Sequence, residues 1–281
     1  MLSQITYAAV MPEGASTVLV PGGMQTPHGT CTHVTADTGS LIPITEATTG
    51  QTALLLDGAG GTLVLTFHFD ASLRGDYPEI MFHPHSSRFT RFAEALLEEA
   101  EAAGAGCTGV ARAAAIASAT AERFTYGHPE DRFNDGLDEV PALGCGLFEG
   151  SCVDINTYFI AALRAAGIKA GYATGFFFPA DKDHHCTDGH CWVVTRIDGA
   201  TQEWDIAHHL KMGTMRIAPG LNPRPGFRAA TFHSMGLDLP AVNLIGLKAL
   251  IEPLAISAGS TLRFSAPEIR LRYPAISGNS A

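Results

Sequence analysis

The chain is short of charge. Asp, Glu, Lys and Arg make up 16% of its 281 residues, against about a quarter in an average soluble protein. Apolar residues stand at an ordinary 46%, and the two figures together exclude a disordered chain and a coiled coil. Basic residues are the scarcer kind, 18 against 28 acids for a net charge of −10. The cationic surface that neutralises phosphates is therefore missing, and neither nucleic acids nor anionic membranes are expected as partners. No stretch reaches eighteen uninterrupted apolar residues, and the opening Met1-Leu2-Ser3-Gln4-Ile5 lacks the basic and apolar regions of a secretory signal. A cytoplasmic location is expected. Cysteine is sparse too: Cys31, Cys107, Cys145, Cys152, Cys186 and Cys191 are too few for a disulfide scaffold in a chain of this length. For Cys107 and Cys145, which have no partner residues nearby, the expectation is a small buried hydrophobe.

What is present divides the chain in two. The first seventy residues hold short β-rich runs, such as Thr17–Val20 and Thr62–Phe69, separated by turns rich in Gly, Pro and Thr. Past Pro84 the period changes, with Phe89, Phe92, Ala93, Leu96, Leu97 and Ala100 at helical spacing and an Ala-rich helix over about 110–124. The expected organisation is an all-β N-terminal domain over 1–75 and a second domain over 76–281, the switch falling between 70 and 88. Residues 125–150 are broken by glycine and proline and read as a long loop. Two late strands, Leu262–Phe264 and Ile269–Tyr273, have no topology assigned by the sequence.

The segment Gly150-Ser151-Cys152-Val153-Asp154 has the capping-box form, followed by the helical stripe Ile155, Phe159, Ala162, Leu163, Ala166 and a stop at Gly167. Cys152 then sits at the helix start, where unpaired backbone N–H groups and the positive dipole end favour a thiolate. Downstream, Ile168–Phe178 reads as a strand and His190–Ile197 as another, followed by Asp198-Gly199, a strong hairpin signal. A two-residue turn pairs Ile197 with Ala200, and counting back sets Asp205 opposite Trp192 and Ala207 opposite His190. His190 and Asp205 then share one face as diagonal neighbours. A thiol, an imidazole and a carboxylate are the parts of a nucleophilic acyl-transfer site: Cys152 as nucleophile, His190 as base, Asp205 orienting the ring.

The stretch from Gly150 to Asp205 resembles the transglutaminase-like superfamily of papain-type cysteine enzymes. The resemblance is carried by Gly-Ser-Cys before a helix, Leu-Arg-Ala-Ala-Gly-Ile at 163–168, Gly-His-Cys-Trp at 189–192 and Glu-Trp-Asp at 203–205. It implies the same roles for Cys152, His190 and Asp205. It also implies an α+β fold, a papain-like or transglutaminase-like core of helices packed on an antiparallel sheet behind a small all-β N-terminal domain. Members often read Gly-Ile-Pro-Ala-Arg where this chain has Gly167-Ile168-Lys169-Ala170-Gly171, and Asp-Pro where it has Asp205-Ile206. The oxyanion donors expected are the backbone N–H of Cys152 and Tyr126.

The substrate expected is a peptide, protein or small amide, with no cofactor and no metal; hydrolysis is favoured over amine transfer because no carboxylate cluster suggests a calcium-dependent crosslinker. The sequence leaves the oligomeric state open. Two other classes compete. Residues 181–191, with His208 and His209, are dense in possible zinc ligands but lack a paired C-x-x-C, and a non-catalytic interaction domain would not be expected to keep all three triad residue types.

Overall fold

The computed structural model describes residues 2–257 and 260–273, so Met1 and residues 258–259 and 274–281 of the two expected domains lie outside the described residues. Alternating burial in Leu2–Val10 and Thr62–Asp70 turns Ile5, Tyr7 and Ala9, and Leu63, Leu65, Phe67 and Phe69, onto one buried face. Strands with this period pack one face of an antiparallel sheet into a core. Two such sheets form. One has the spatial order His185–Cys186, Glu268–Arg272, Leu2–Val10, Thr62–Asp70, Gly29–Ala36, Gln25–Thr26. The other runs Ser260–Arg263, Leu254–Ser257, Thr17–Pro21, Thr52–Asp57, Leu41–Thr45. The late strands thus return to pair with the first ones, Leu271 opposite Ile5 and Ala255 opposite Val18. Three strands after residue 253 complete the sheets that the first seventy residues begin.

The central unit is an antiparallel sheet ordered Ala200–Trp204, His190–Ile197, Lys169–Pro179, Gly226–His233. Helices α1 (Glu94–Ala103), α2 (Gly109–Ala121) and α3 (Cys152–Ala165) share a core with one of its faces, and α4 (Ile206–Lys211) follows its edge strand. This is the expected α+β arrangement of helices on an antiparallel sheet, with an N-terminal β region. Helix α3 lies in the middle of the molecule, with every residue from Cys152 to Leu163 buried, the polar Asp154, Asn156 and Thr157 among them. Its end obeys a Schellman motif: Gly167 adopts φ 74°, and the N–H of Ile168 reaches Leu163 O at 2.9 Å. The strand His190–Ile197 is buried on both faces, Cys191 and Val193 against the helices and Trp192 and Val194 against Tyr77, Met81 and Phe82. Phe176 and Phe178, from the neighbouring long strand, reach into the β-sandwich core and tie the two units together. No helix among the described residues is long and apolar enough to cross a membrane.

Candidate active site

Three local features bring the expected residues together. Ser151 and Asp154 close the capping box: Ser151 Oγ accepts the Val153 N–H at 3.3 Å, and the Asp154 carboxylate accepts the Ser151 N–H at 2.9 Å. Helix α3 therefore starts at Cys152, whose backbone N–H, in the first turn, has no acceptor inside the helix. Burial works against the Asp154 charge, but hydrogen bonds from Ser151 and Arg132 hold its carboxyl below the usual range.

The hairpin is the second feature. Asp198 and Gly199 adopt φ 51° and 76°, and Ile197 pairs with Ala200 as counting predicts. The register holds to Val193 opposite Trp204, and there the strand stops. Asp205 does not continue opposite Trp192, nor Ala207 opposite His190; Asp205 instead caps α4, its Oδ1 accepting the His208 N–H at 3.0 Å. Asp is a poor strand residue and a good N-cap, so the chain leaves the sheet as soon as its side chain can satisfy a helix start.

The third is a glycine. Gly175 faces His190 across the sheet, next to a bulge in its pairing with the Gly226–His233 strand. A Cβ at Gly175 would stand 1.9 Å from Ala229 O. Only glycine lets that strand approach, and the strand carries Arg228.

The geometry that results is compact. His190 Nε2 lies 2.7 Å from Asp205 Oδ2, and both residues are buried. Nδ1 is then the nitrogen left for the Cys152 thiol, which stands close enough to shift the ring. Burial disfavours a charged His190, yet Asp205 and Cys152 outweigh it and raise the ring above its usual value. Asp205 is held well below the carboxylate range, against burial, by His190 and Arg228. Cys152 is 6% exposed; the neighbouring Cys191 thiol and burial hold it well above the usual thiol range, against the downward pull of His190. Cys191 is drawn below its usual range, against burial, by the neighbouring Cys152, Tyr172 and Asn156, the last donating to its sulfur at 3.5 Å. Two thiols compete here for one negative charge.

Three members of this site are absent from the sequence-based set: Arg228, His208 and Cys191. The Arg228 guanidinium donates to Asp205 Oδ2 and stands over the rings of Trp192 and Phe177, at 4.7 and 5.4 Å from their centroids. His208 Nδ1 lies 2.8 Å from the same oxygen, its ring parallel to that of His190 (5°, centroids 4.3 Å apart). Burial and the neighbouring His190 lower His208 to about 4, which keeps it neutral near pH 7. The spacing Asp205-x-x-His208 is an N-cap pattern that sequence alone contains. Arg228 carries no local signal at all.

Tyr126 lies near the thiol. The strand Phe124–Tyr126 pairs in parallel with Phe148–Gly150, Tyr126 opposite Gly150, two residues before Cys152. Burial and the charges of Cys152 and Asp188 raise Tyr126 and keep its hydroxyl protonated. That hydroxyl is 3.3 Å from His128 Nε2, and Lys211 Nζ stands 4.2 Å from the ring centroid.

Among the described residues, the group near enough to grip a metal is His190, Asp205 and His208, which takes two members from the expected ligand-rich set and leaves out its cysteines. Arg228, a permanent cation on the Asp205 oxygen that a metal would need, makes this donor set a poor fit for a divalent ion. Cys107 is half-buried and Cys145 exposed, contrary to expectation, since both lie in turns rather than on core faces; Cys31 and Cys186 are buried.

Residues 97–204 match the family model of the transglutaminase-like superfamily, a span that includes Cys152 and His190 and ends one residue before Asp205. Among solved structures, a candidate cysteine protease from Cytophaga hutchinsonii is similar over 97% of this chain and 98% of its own, with 14% identity and a TM-score of 0.48. A candidate protease from Parabacteroides distasonis ATCC 8503 is similar over 94% of this chain and 44% of its own, with 11% identity and a TM-score of 0.31. No curated protein matches the sequence.

Proposed function

With residues 97–204 belonging to the transglutaminase-like superfamily, we propose that the protein is a cysteine hydrolase that cleaves a peptide or other amide bond through Cys152, His190 and Asp205. The observation that carries this reading is the buried chain of contacts from Asp205 Oδ2 through the His190 ring to a thiol at the first residue of a helix.

His190 Nδ1 takes the Cys152 proton, and the sulfur attacks the carbonyl carbon. The negative charge that develops on the carbonyl oxygen is met by the Cys152 backbone N–H and, on the other side, by the Tyr126 hydroxyl. Collapse of the tetrahedral adduct breaks the C–N bond, with the His190 proton going to the leaving nitrogen, and a thioester remains on Cys152. His190 next deprotonates a water, which attacks the thioester and releases the acid and the free thiol. Asp205 stays ionised throughout and stabilises the imidazolium.

The test is active-site labelling with iodoacetamide, followed by a peptide and amide screen with and without amine acceptors. Modification of Cys152, and loss of turnover in a folded Cys152→Ala variant, are expected. A fully active Cys152→Ala protein overturns the reading. Turnover only when an amine is supplied replaces hydrolysis by amine transfer.

A further inference from the structure

The protein is acidic overall, at −10, yet the cleft of about 130 Å³ that opens beside His190 and His208 is basic. Its walls include Lys182, Lys211, Arg224 and His185 against a single acid, Asp188. Arg224 is partly spent, its Nη2 being 3.0 Å from both carboxylate oxygens of Asp181. Lys182 and Lys211 are exposed, and neither is ion-paired among the described residues; Lys211 rests on the Tyr126 ring. Phe177 forms an apolar wall and packs on His208, with ring centroids 4.3 Å apart.

The position of this cleft is as informative as its charge. It touches His190 but not Cys152. When a thiol cleaves an amide, the acyl half stays on sulfur and the leaving nitrogen is the atom that receives the imidazolium proton. The half of the substrate lying over the histidine is therefore the leaving amine. Resting on the hydrolase reading above, we propose that this cleft is a leaving-group subsite for an anion: the enzyme cleaves amides whose leaving amine bears a carboxylate, such as an amino acid or peptide whose carboxylate lies close to the scissile bond. Lys182 and Lys211 hold that carboxylate. They are specificity residues: both line the cleft beside His190, and Cys152 is not among its walls.

The experiment uses two reagents that differ only in charge, iodoacetate and iodoacetamide, on the full chain and on a Lys182→Gln/Lys211→Gln variant. Exposed Cys145 serves as the internal reference thiol. Cys152 is expected to prefer iodoacetate by about tenfold more than Cys145 does, and 0.5 M salt should erode the preference. Because the His190 imidazolium itself attracts the anion, the variant decides: a severalfold drop in the preference, with the iodoacetamide rate unchanged, supports the proposal, and an unaltered preference overturns it. A mixed peptide library read by mass spectrometry then locates the carboxylate. Cleavage ahead of residues bearing a nearby carboxylate agrees, whereas cleavage that favours neutral or basic leaving groups overturns the subsite and leaves the hydrolase standing. If Cys152 reacts with neither reagent and no peptide is cleaved, both readings fall together.

Discussion

Replacing Asp205 by Asn separates the two jobs that this carboxylate performs. Its Oδ2 faces His190 Nε2, His208 Nδ1 and the Arg228 guanidinium at once, while Oδ1 accepts the His208 N–H. Arg228 is buried, and its Nε and Nη1 have no other acceptor. Asparagine keeps the shape but leaves a buried cation without a counter-charge, a change that costs about 3–5 kcal/mol. At about 2–4 °C per kcal/mol for a large domain, the melting temperature should fall by roughly 6 to 20 °C. The pH dependence follows from the two shifted groups. Asp205 is depressed in the folded state, so its contribution is complete above its unfolded value, about 3.9, and is lost as pH falls through the folded one. His190 is raised, so its contribution is complete below about 6.5 and is lost as pH rises through the folded value. The stability gap between wild type and variant should therefore be widest between about pH 4 and 6.5, close as pH falls through the folded Asp205 value, and only narrow on the alkaline side, where the pairing with Arg228 remains. Turnover should drop by about 10 to 10³, less than the roughly 10⁴ of a serine triad, because a thiol is the more acidic nucleophile. Adding Arg228→Met removes the orphaned cation: stability should recover in the double variant while turnover should not. Calorimetry across pH, beside a turnover assay, gives both readouts. An Asp205→Asn protein as stable as wild type, or a double variant no more stable than the single one, refutes the assignment of Asp205 as the partner of Arg228.

Cys191→Ala should shift the pH profile of Cys152 alkylation to lower pH, because it removes the neighbour that pushes the Cys152 thiol up; a profile that stays put or moves upward counts against the shared charge. Gly175→Ala should destabilise by about 3 kcal/mol or more, since its Cβ meets the backbone of Ala229 and Ala230 rather than a movable side chain. A wild-type melting temperature in that variant would show that the two strands can part freely.

How far the sequence reached depends on the range of the interactions involved. The capping box at Ser151 and the turn at Asp198-Gly199 are decided within four residues, and both took the form that their residues dictate. Counting along the hairpin went one step too far because a strand and an N-cap make rival claims on Asp205, and the second claim is visible only if the next residues are read as a helix. Arg228 lies 23 residues from its carboxylate, and Ile269 and Leu271 pair across the whole chain with Tyr7 and Ile5. Contacts of that length leave no periodic or compositional trace in a single sequence. Apolar alternation in the strand Glu268–Arg272 fixes which face is buried but not which neighbour it takes.

The return of the last strands to the first ones also sets an order for biosynthesis. The edge of Leu2–Val10 is covered by Glu268–Arg272, more than 250 residues later, and at 5–20 residues per second that partner leaves the ribosome roughly ten to fifty seconds after the strand it must cover. Throughout that interval the first strand presents an unpaired row of backbone groups flanked by Ile5 and Tyr7, an open template for pairing with another nascent chain. Hydrophobic collapse of the central unit around α3 needs no residue from the far end and can proceed meanwhile. The site is therefore built before the sandwich is closed, and a chain cut short after residue 253 would carry Cys152, His190, Asp205 and Arg228 while remaining sticky along one edge.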